Sequence, residues 1–293
     1  MRTLRFLMSR IKEFAMRYPA VAGAFYPSQR LELEKQLEWC FAKEAGEPKL
    51  GDEKGLVAVV SPHAGYFYSG WVAAFSYSEI ARSFKEPPVF VIAGPNHTGQ
   101  GSVLAISLQD WQTPLGIAKN DVELAKRIQK HSRLIDFDET AHEYEHSIEV
   151  QLPFLQYLYG EKVRMVPICM MMQDLDAAKD VAEATFKAAT ELKREIVFVA
   201  SSDFTHYESA KSAAAKDAMA LAKLEGLDAE GFNKVRALKN ATICGYGPIT
   251  AAIIYARLRG CTKGKVLRYA NSGDVTGDFN QVVAYCSAAF RIR

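Results

Sequence analysis

No apolar run in this 293-residue sequence approaches the about 20 residues that cross a bilayer as a helix, so no membrane span is expected. An excess of one charge is missing as well. The 36 Lys and Arg against 34 Asp and Glu leave a formal net charge of +2. No basic stripe interleaved with aromatics accompanies them, so nucleic acid is not an expected partner. Five cysteines, Cys40, Cys169, Cys244, Cys261 and Cys286, lie far apart. An odd, scattered set in a long chain argues against a disulfide framework and for a reducing, cytoplasmic setting. Internal repeats, low-complexity tracts and long linkers are absent too. What remains is a chain that is 49% hydrophobic and long enough to bury one large core or at most two modest ones.

The first fifteen residues, MRTLRFLMSRIKEFA, are basic and mildly amphipathic. Arg10 and Lys12 break the apolar stretch that a secretory signal requires. Residues 1–15 therefore read as an extension outside the fold, with Met16 an alternative start, and residues 16–293 as one domain. Within it, short β-branched runs (55–60, 89–94, 103–107, 163–168, 196–201) alternate with helical patterns (28–44, 69–82, 120–131, 147–159, 174–193, 208–225, 229–238, 248–258). Nearly continuous apolar strands separated by helices predict a sheet covered on both faces. Two further runs, 266–272 and 282–292, flank the turn-rich GDVTGDFN and are expected to pair as an antiparallel hairpin. The fold class is α/β: a single three-layer α/β/α domain around a mixed, largely parallel sheet.

Three of the six histidines follow the carboxyl ends of apolar runs. His63 lies in SPHAGY after 55–60, His97 in PNHTG after 89–94, and His206 in SDFTH after 196–201. Ligands of open α/β sheets bind at that edge, so parallel, neighbouring strands would bring the three into one cleft. Taken singly, each could equally be a solvated turn histidine. Cys244, in NATICGYGPITAAI, precedes a helix expected to begin near Pro248, where a helix N-terminus favours thiolate. It reads either as an inert buried thiol or as a ligand completing a His₂Cys set. Asp203 could orient His206 or add a ligand, and His206 could act as general acid or base.

The stretch AHEYEHSIEVQLPFLQYLY contains His142-Glu143-x-x-His146, the zinc-protease pattern. That chemistry needs both histidines on one helix. The apolar positions that define a helix here, Ile148, Leu152, Leu155 and Leu158, begin only after His146. His142 is therefore expected in the preceding loop. His146, with Glu149 a turn further on, is expected to line the pocket instead. Ser201, Ser202, Asp203 and His206 hold the letters of a hydrolytic triad, but without a G-x-S-x-G elbow. Met170 to Met172 read as gap-filling core, not copper ligands.

In their order along the chain, VAGAFYP (21–27), SPHAGYFYSG (61–70), GPNHTG (94–99), EHSIEVQLPFLQ (145–156), SSDFTHY (201–207) and TICGYGPI (242–249) resemble the MEMO family. This family includes protein B of the AmmeMemoRadiSam system. The resemblance runs from about Arg17 to the C-terminus. It implies a fold similar to class III extradiol dioxygenases, which use two histidines and a carboxylate on Fe(II). Carried over, it implies His63, His97 and Cys244 as the metal set, with Asp203 and His206 beside them as catalytic groups. Cys244 then replaces the carboxylate, which favours Fe or Cu, with Zn a further choice, and puts dioxygenase chemistry in question. Tyr66, Asn96, His146 and Glu149 are the expected pocket lining.

Three functions follow from these readings. The first is a metal-dependent enzyme of redox or oxygenase type acting on an unidentified substrate. The second is a non-catalytic scaffold that keeps the cleft for a metal, peptide or protein partner. The third is the metalloprotease, against which the helix argument stands. Expected partners are a small molecule, a peptide or a protein, and the resemblance implies a link to a radical-SAM protein.

Overall fold

The structure, a computed structural model, describes residues 16–292; the basic segment 1–15 lies outside the described residues. In chain order the strands are β1 (Met16–Arg17), β2 (Leu56–Ser61), β3 (Val89–Pro95), β4 (Leu104–Ile106), β5 (Asp110–Thr113), β6 (Gly116–Asn120), β7 (Asp136–Phe137), β8 (Arg164–Met170), β9 (Ile196–Ser201), β10 (His206–Glu208), β11 (Gly264–Asn271) and β12 (Val282–Arg291). The helices are α1 (Arg30–Cys40), α2 (Trp71–Ser83), α3 (Val122–His131), α4 (Leu152–Tyr159), α5 (Leu175–Leu192), α6 (Ala210–Glu225), α7 (Ala229–Leu238), α8 (Tyr246–Leu258) and the single turn α9 (Gly273–Thr276).

Four of the apolar runs form the middle of one sheet. β8, β3, β9 and β2 lie side by side in that order, all parallel, with β6 parallel on the outer side of β8. The fifth run, β4, pairs antiparallel with β8. β12 joins β2 antiparallel and pairs on its other side with β11 and β10. The β11–β12 hairpin is the one expected from the turn-rich sequence between 272 and 282. Alternation within β9 explains why its run is apolar throughout. Ile196, Phe198 and Ala200 enter one core, while Val197 and Val199 enter the other. α3, α5, α6, α7 and α8 cover the first face; α1, α2 and α4 cover the second. Asp121, Asp174, Ser209 and Asp228 start α3, α5, α6 and α7 with side-chain caps, each contributing about 1 kcal/mol.

The β5–β6 hairpin and the two-residue strands β1 and β7 carry too short an apolar pattern to be read from sequence. They extend the sheet beyond β6 and beside β4. For the site, the centre matters most. Ser61 of β2 is in register with Ser201 of β9, and Ala93 of β3 with Ala200 of β9. Three loops therefore leave one sheet edge together. Among the described residues, no helix is long and apolar enough to cross a membrane.

Candidate metal centre

Two residues past β2, His63 is fixed at both ends. Its backbone N–H donates to Asp203 Oδ1 at 2.8 Å, and its Nδ1 lies 2.9 Å from Ser201 Oγ. The ring is buried, with 2% exposure. His97 stands on a loop that Asn96 shapes. Asn96 Oδ1 accepts from the N–H groups of Thr98 (3.0 Å) and Gly99 (2.9 Å), and its amide donates to Gln100 O. His146 enters from the loop before α4. The ring centroids are 5.2 Å apart for His63 and His97, 5.5 Å for His63 and His146, and 4.7 Å for the stacked His97 and His146. One nitrogen from each ring lies within 4.8 Å of the others, close enough to share one ion.

A single buried carboxylate holds His97 and stands beside His146. Glu145 accepts from His97 Nδ1 at 3.0 Å, from the His97 backbone N–H, and from the Ser147 N–H at 2.8 Å; His146 Nδ1 stands 3.4 Å away. With Nδ1 of His97 hydrogen-bonded to the carboxylate, its Nε2 is left free, the arrangement typical of metal-binding histidines. Burial works to raise the Glu145 pKa, but His97, His146 and the Ser147 N–H outweigh it and bring the carboxyl down to about 2. Burial pushes His146 down to about 4, and holds His63 well below the ordinary range with help from the other histidines. All of this favours the neutral imidazole that binds metals. The loop reaches the strand end because residue 94 is glycine: a Cβ there would collide with Ser147 and Ile148.

Cys244 comes within 3.1 Å of His63, Sγ to Nε2, and accepts from the Asp203 N–H at 3.3 Å. Its loop presses on the end of β9, where a side chain at Gly245 would strike Ser201 O. α8 begins at Tyr246, two residues before Pro248, so Cys244 stands one residue before the helix's N-cap. The expected tilt to thiolate does not follow. Burial, then the Asp203 charge, raise the thiol pKa, and the hydrogen bonds from Asp203, Ser202 and Gly245 do not offset them. Without a cation Cys244 is a thiol. Asp203 is itself raised to about 6 by burial, against the pull of the His63 N–H and His206. His206 opens β10 and is held by Thr242, with its N–H on Oγ1 at 2.7 Å and Nδ1 2.9 Å from the carbonyl. Its Nε2 is therefore the nitrogen left without a partner among the described residues, and the ring is an electrostatic neighbour of both His63 and Asp203.

Other residues expected at the pocket stand elsewhere. Tyr66 is buried and donates to Val150 O at 2.6 Å, so it packs the core. Glu149 is fully buried and pairs with Arg17. It also accepts from the N–H groups of Ala20 (2.8 Å) and Val21 (3.1 Å) and from Tyr26 OH (2.6 Å). Glu149 thereby fastens the segment that lays Phe25 against His146, ring centroids 4.6 Å apart. His142 is in a turn, not on a helix, and its Nε2 faces Ala105 O at 3.2 Å. The residue that sequence reasoning did not assign is Glu145. A carboxylate next to His146 in a motif already under suspicion was the available signal.

A cluster of three imidazoles at the carboxyl edge of a parallel sheet defines an α/β protein whose donor set could hold a metal ion. A family model described as Memo-like protein matches residues 17–289. The MEMO1 family protein of Methanopyrus kandleri is 47% identical over 280 residues, covering 94% of this chain and 99% of that one. Those of Methanothermobacter thermautotrophicus and Sulfolobus acidocaldarius are 46% and 44% identical, over 92% and 94% of this chain and 98% and 99% of theirs. The chain belongs to the Memo family.

Proposed function

We propose that this protein is a metal-dependent enzyme of redox or oxygenase type, with iron or copper held by His63, His97 and His146 and Cys244 as a fourth donor beside His63. The observation that carries the reading is the convergence of His63, His97 and His146, one nitrogen of each ring within 4.8 Å of the others, with Cys244 Sγ 3.1 Å from His63 Nε2. Such a donor set fits a transition ion, and the thiol of Cys244 biases it to the softer ones. When bound, iron or copper supplies a redox-active Lewis acid with room for a substrate. His63 closes the base of the site, while His97, about a third exposed, stands at its mouth. Asp203 and His206 flank the base. Burial raises the Asp203 carboxyl to about 6, which suits it to carry a proton, and His206, with its Nδ1 held by Thr242, is the second candidate for acid–base work. The alternative, a scaffold that binds metal, peptide or protein without catalysis, uses the same donors.

Metal analysis of protein purified without added metal tests the site across His63→Ala, His97→Ala, His146→Ala and Cys244→Ala. Loss in the three histidine variants is the expected result, and unchanged content in all four overturns the site. Partner binding that survives His206→Ala, with no turnover under any metal, selects the scaffold.

A further inference from the structure

His63 has no carboxylate on its Nδ1, unlike His97 and His146. Its Nδ1 meets a hydroxyl, Ser201 Oγ, which could either donate or accept. The surroundings of Ser201 remove that freedom. Ser147 O lies 2.6 Å from Ser201 Oγ, and a carbonyl only accepts, so the hydroxyl proton goes there. Gln151 Nε2 lies 2.9 Å from the same Oγ. The orientation of that amide is set independently, because Nε2 faces Pro62 O at 3.0 Å and Oε1 receives Tyr77 OH. Ser201 Oγ thus gives its one proton to Ser147 and receives one from Gln151. Its remaining lone pair can take only an N–H from His63.

We infer that Gln151 and Ser201 are positioning residues that fix His63 as the Nδ1–H tautomer, with the Nε2 lone pair turned to the metal cluster and Cys244. Both are buried, at 1% and 0% exposure, so water does not substitute for either. The stretch from Glu145 to Gln151 then reaches every ring of the cluster. Glu145 anchors His97 and stands beside His146, and Ser147 with Gln151 sets His63 through Ser201. A histidine held by a neutral relay turns the correct nitrogen to the cluster without a third buried carboxylate beside Glu145 and Asp203. The purpose assigned to this tautomer rests on the metal reading; the tautomer itself does not.

The test is long-range proton–nitrogen NMR of the histidine rings in metal-free protein, followed by Co²⁺ titration. Wild type is expected to show His63 protonated at Nδ1 only. Ser201→Ala removes the acceptor, so the expected result is a tautomer mixture and Co²⁺ affinity lower by about 10–100-fold. Ser201→Thr keeps the hydroxyl and is expected to restore both. Gln151→Met should release the hydroxyl and give a partial version of the Ser201→Ala result. Finding His63 protonated at Nε2 in wild type overturns the inference, as does Ser201→Ala with an unchanged tautomer and affinity. If Ser201→Ala does not fold, the wild-type spectrum and Ser201→Thr still decide. Failure of wild type to bind Co²⁺, iron or copper, with the tautomer as stated, defeats the metal reading alone.

Discussion

His142 and His146 lie four residues apart in one loop, and both are lowered to about 4 by burial first of all. Their surroundings part company completely. The rings of His142 and Trp111 form a T-shaped pair at 5.6 Å, and the Arg17 guanidinium lies over the same indole at 4.3 Å. Its second nitrogen is buried without a partner. His146 instead stacks on His97 and shares Glu145 with it. A histidine placed to share an ion is marked by the donors around it, and spacing within a motif does not supply that.

Metal content breaks the comparison most sharply. His146→Ala is expected to lose stoichiometric metal by elemental analysis, whereas His142→Ala keeps it; the reverse outcome would restore the protease pattern. The carboxylates of the same stretch divide in the same way. Glu149→Leu strands a buried Arg17, and urea unfolding should show a loss of about 3–5 kcal/mol. Glu145→Gln keeps the shape and should instead cost about 10–100-fold in metal affinity.

Acid titration separates the two histidines from Glu145 in the metal-free protein. Between pH 6.5 and about 4 the unfolded chain binds a proton that folded His142 refuses, so stability falls as pH falls through that window. The full effect for His142 is roughly 3 kcal/mol. His142→Gln should flatten the curve of thermal midpoint against pH by that share. Glu145, held at about 2, contributes stability present above its ordinary pKa near 4.5 and lost as pH falls toward 2. A second decline below pH 4.5 that disappears in Glu145→Gln would identify it. The smallest effect belongs to Glu143, the general base of the apparent signature. It is exposed, and Glu143→Ala should change stability by less than about 0.5 kcal/mol and leave metal content unaltered.

The sheet was legible because its central strands are buried on both faces, which writes continuous apolar runs such as 196–201 into the chain. The same runs placed His63 and His97 at strand ends. The β5–β6 hairpin was not legible, because its few residues pair at the margin of the sheet and need no long apolar face. Glu145 escaped notice for another reason. Its partners His97 and Ser147 are, respectively, 48 and 2 residues away, and only the first contact shows that the carboxylate points into the cluster.

By itself the sequence determined the alternation of strands and helices, the family motifs and the exclusion of a helical zinc signature, since periodicity and local propensity act along the chain. The tertiary structure decided which histidine joins His63 and His97, because that depends on the close approach of the 145–148 loop to Gly94. It also decided that Glu149 fastens the wall at Phe25 while Glu145 serves the rings. Two carboxylates in one motif look alike in sequence, and only their buried partners tell them apart.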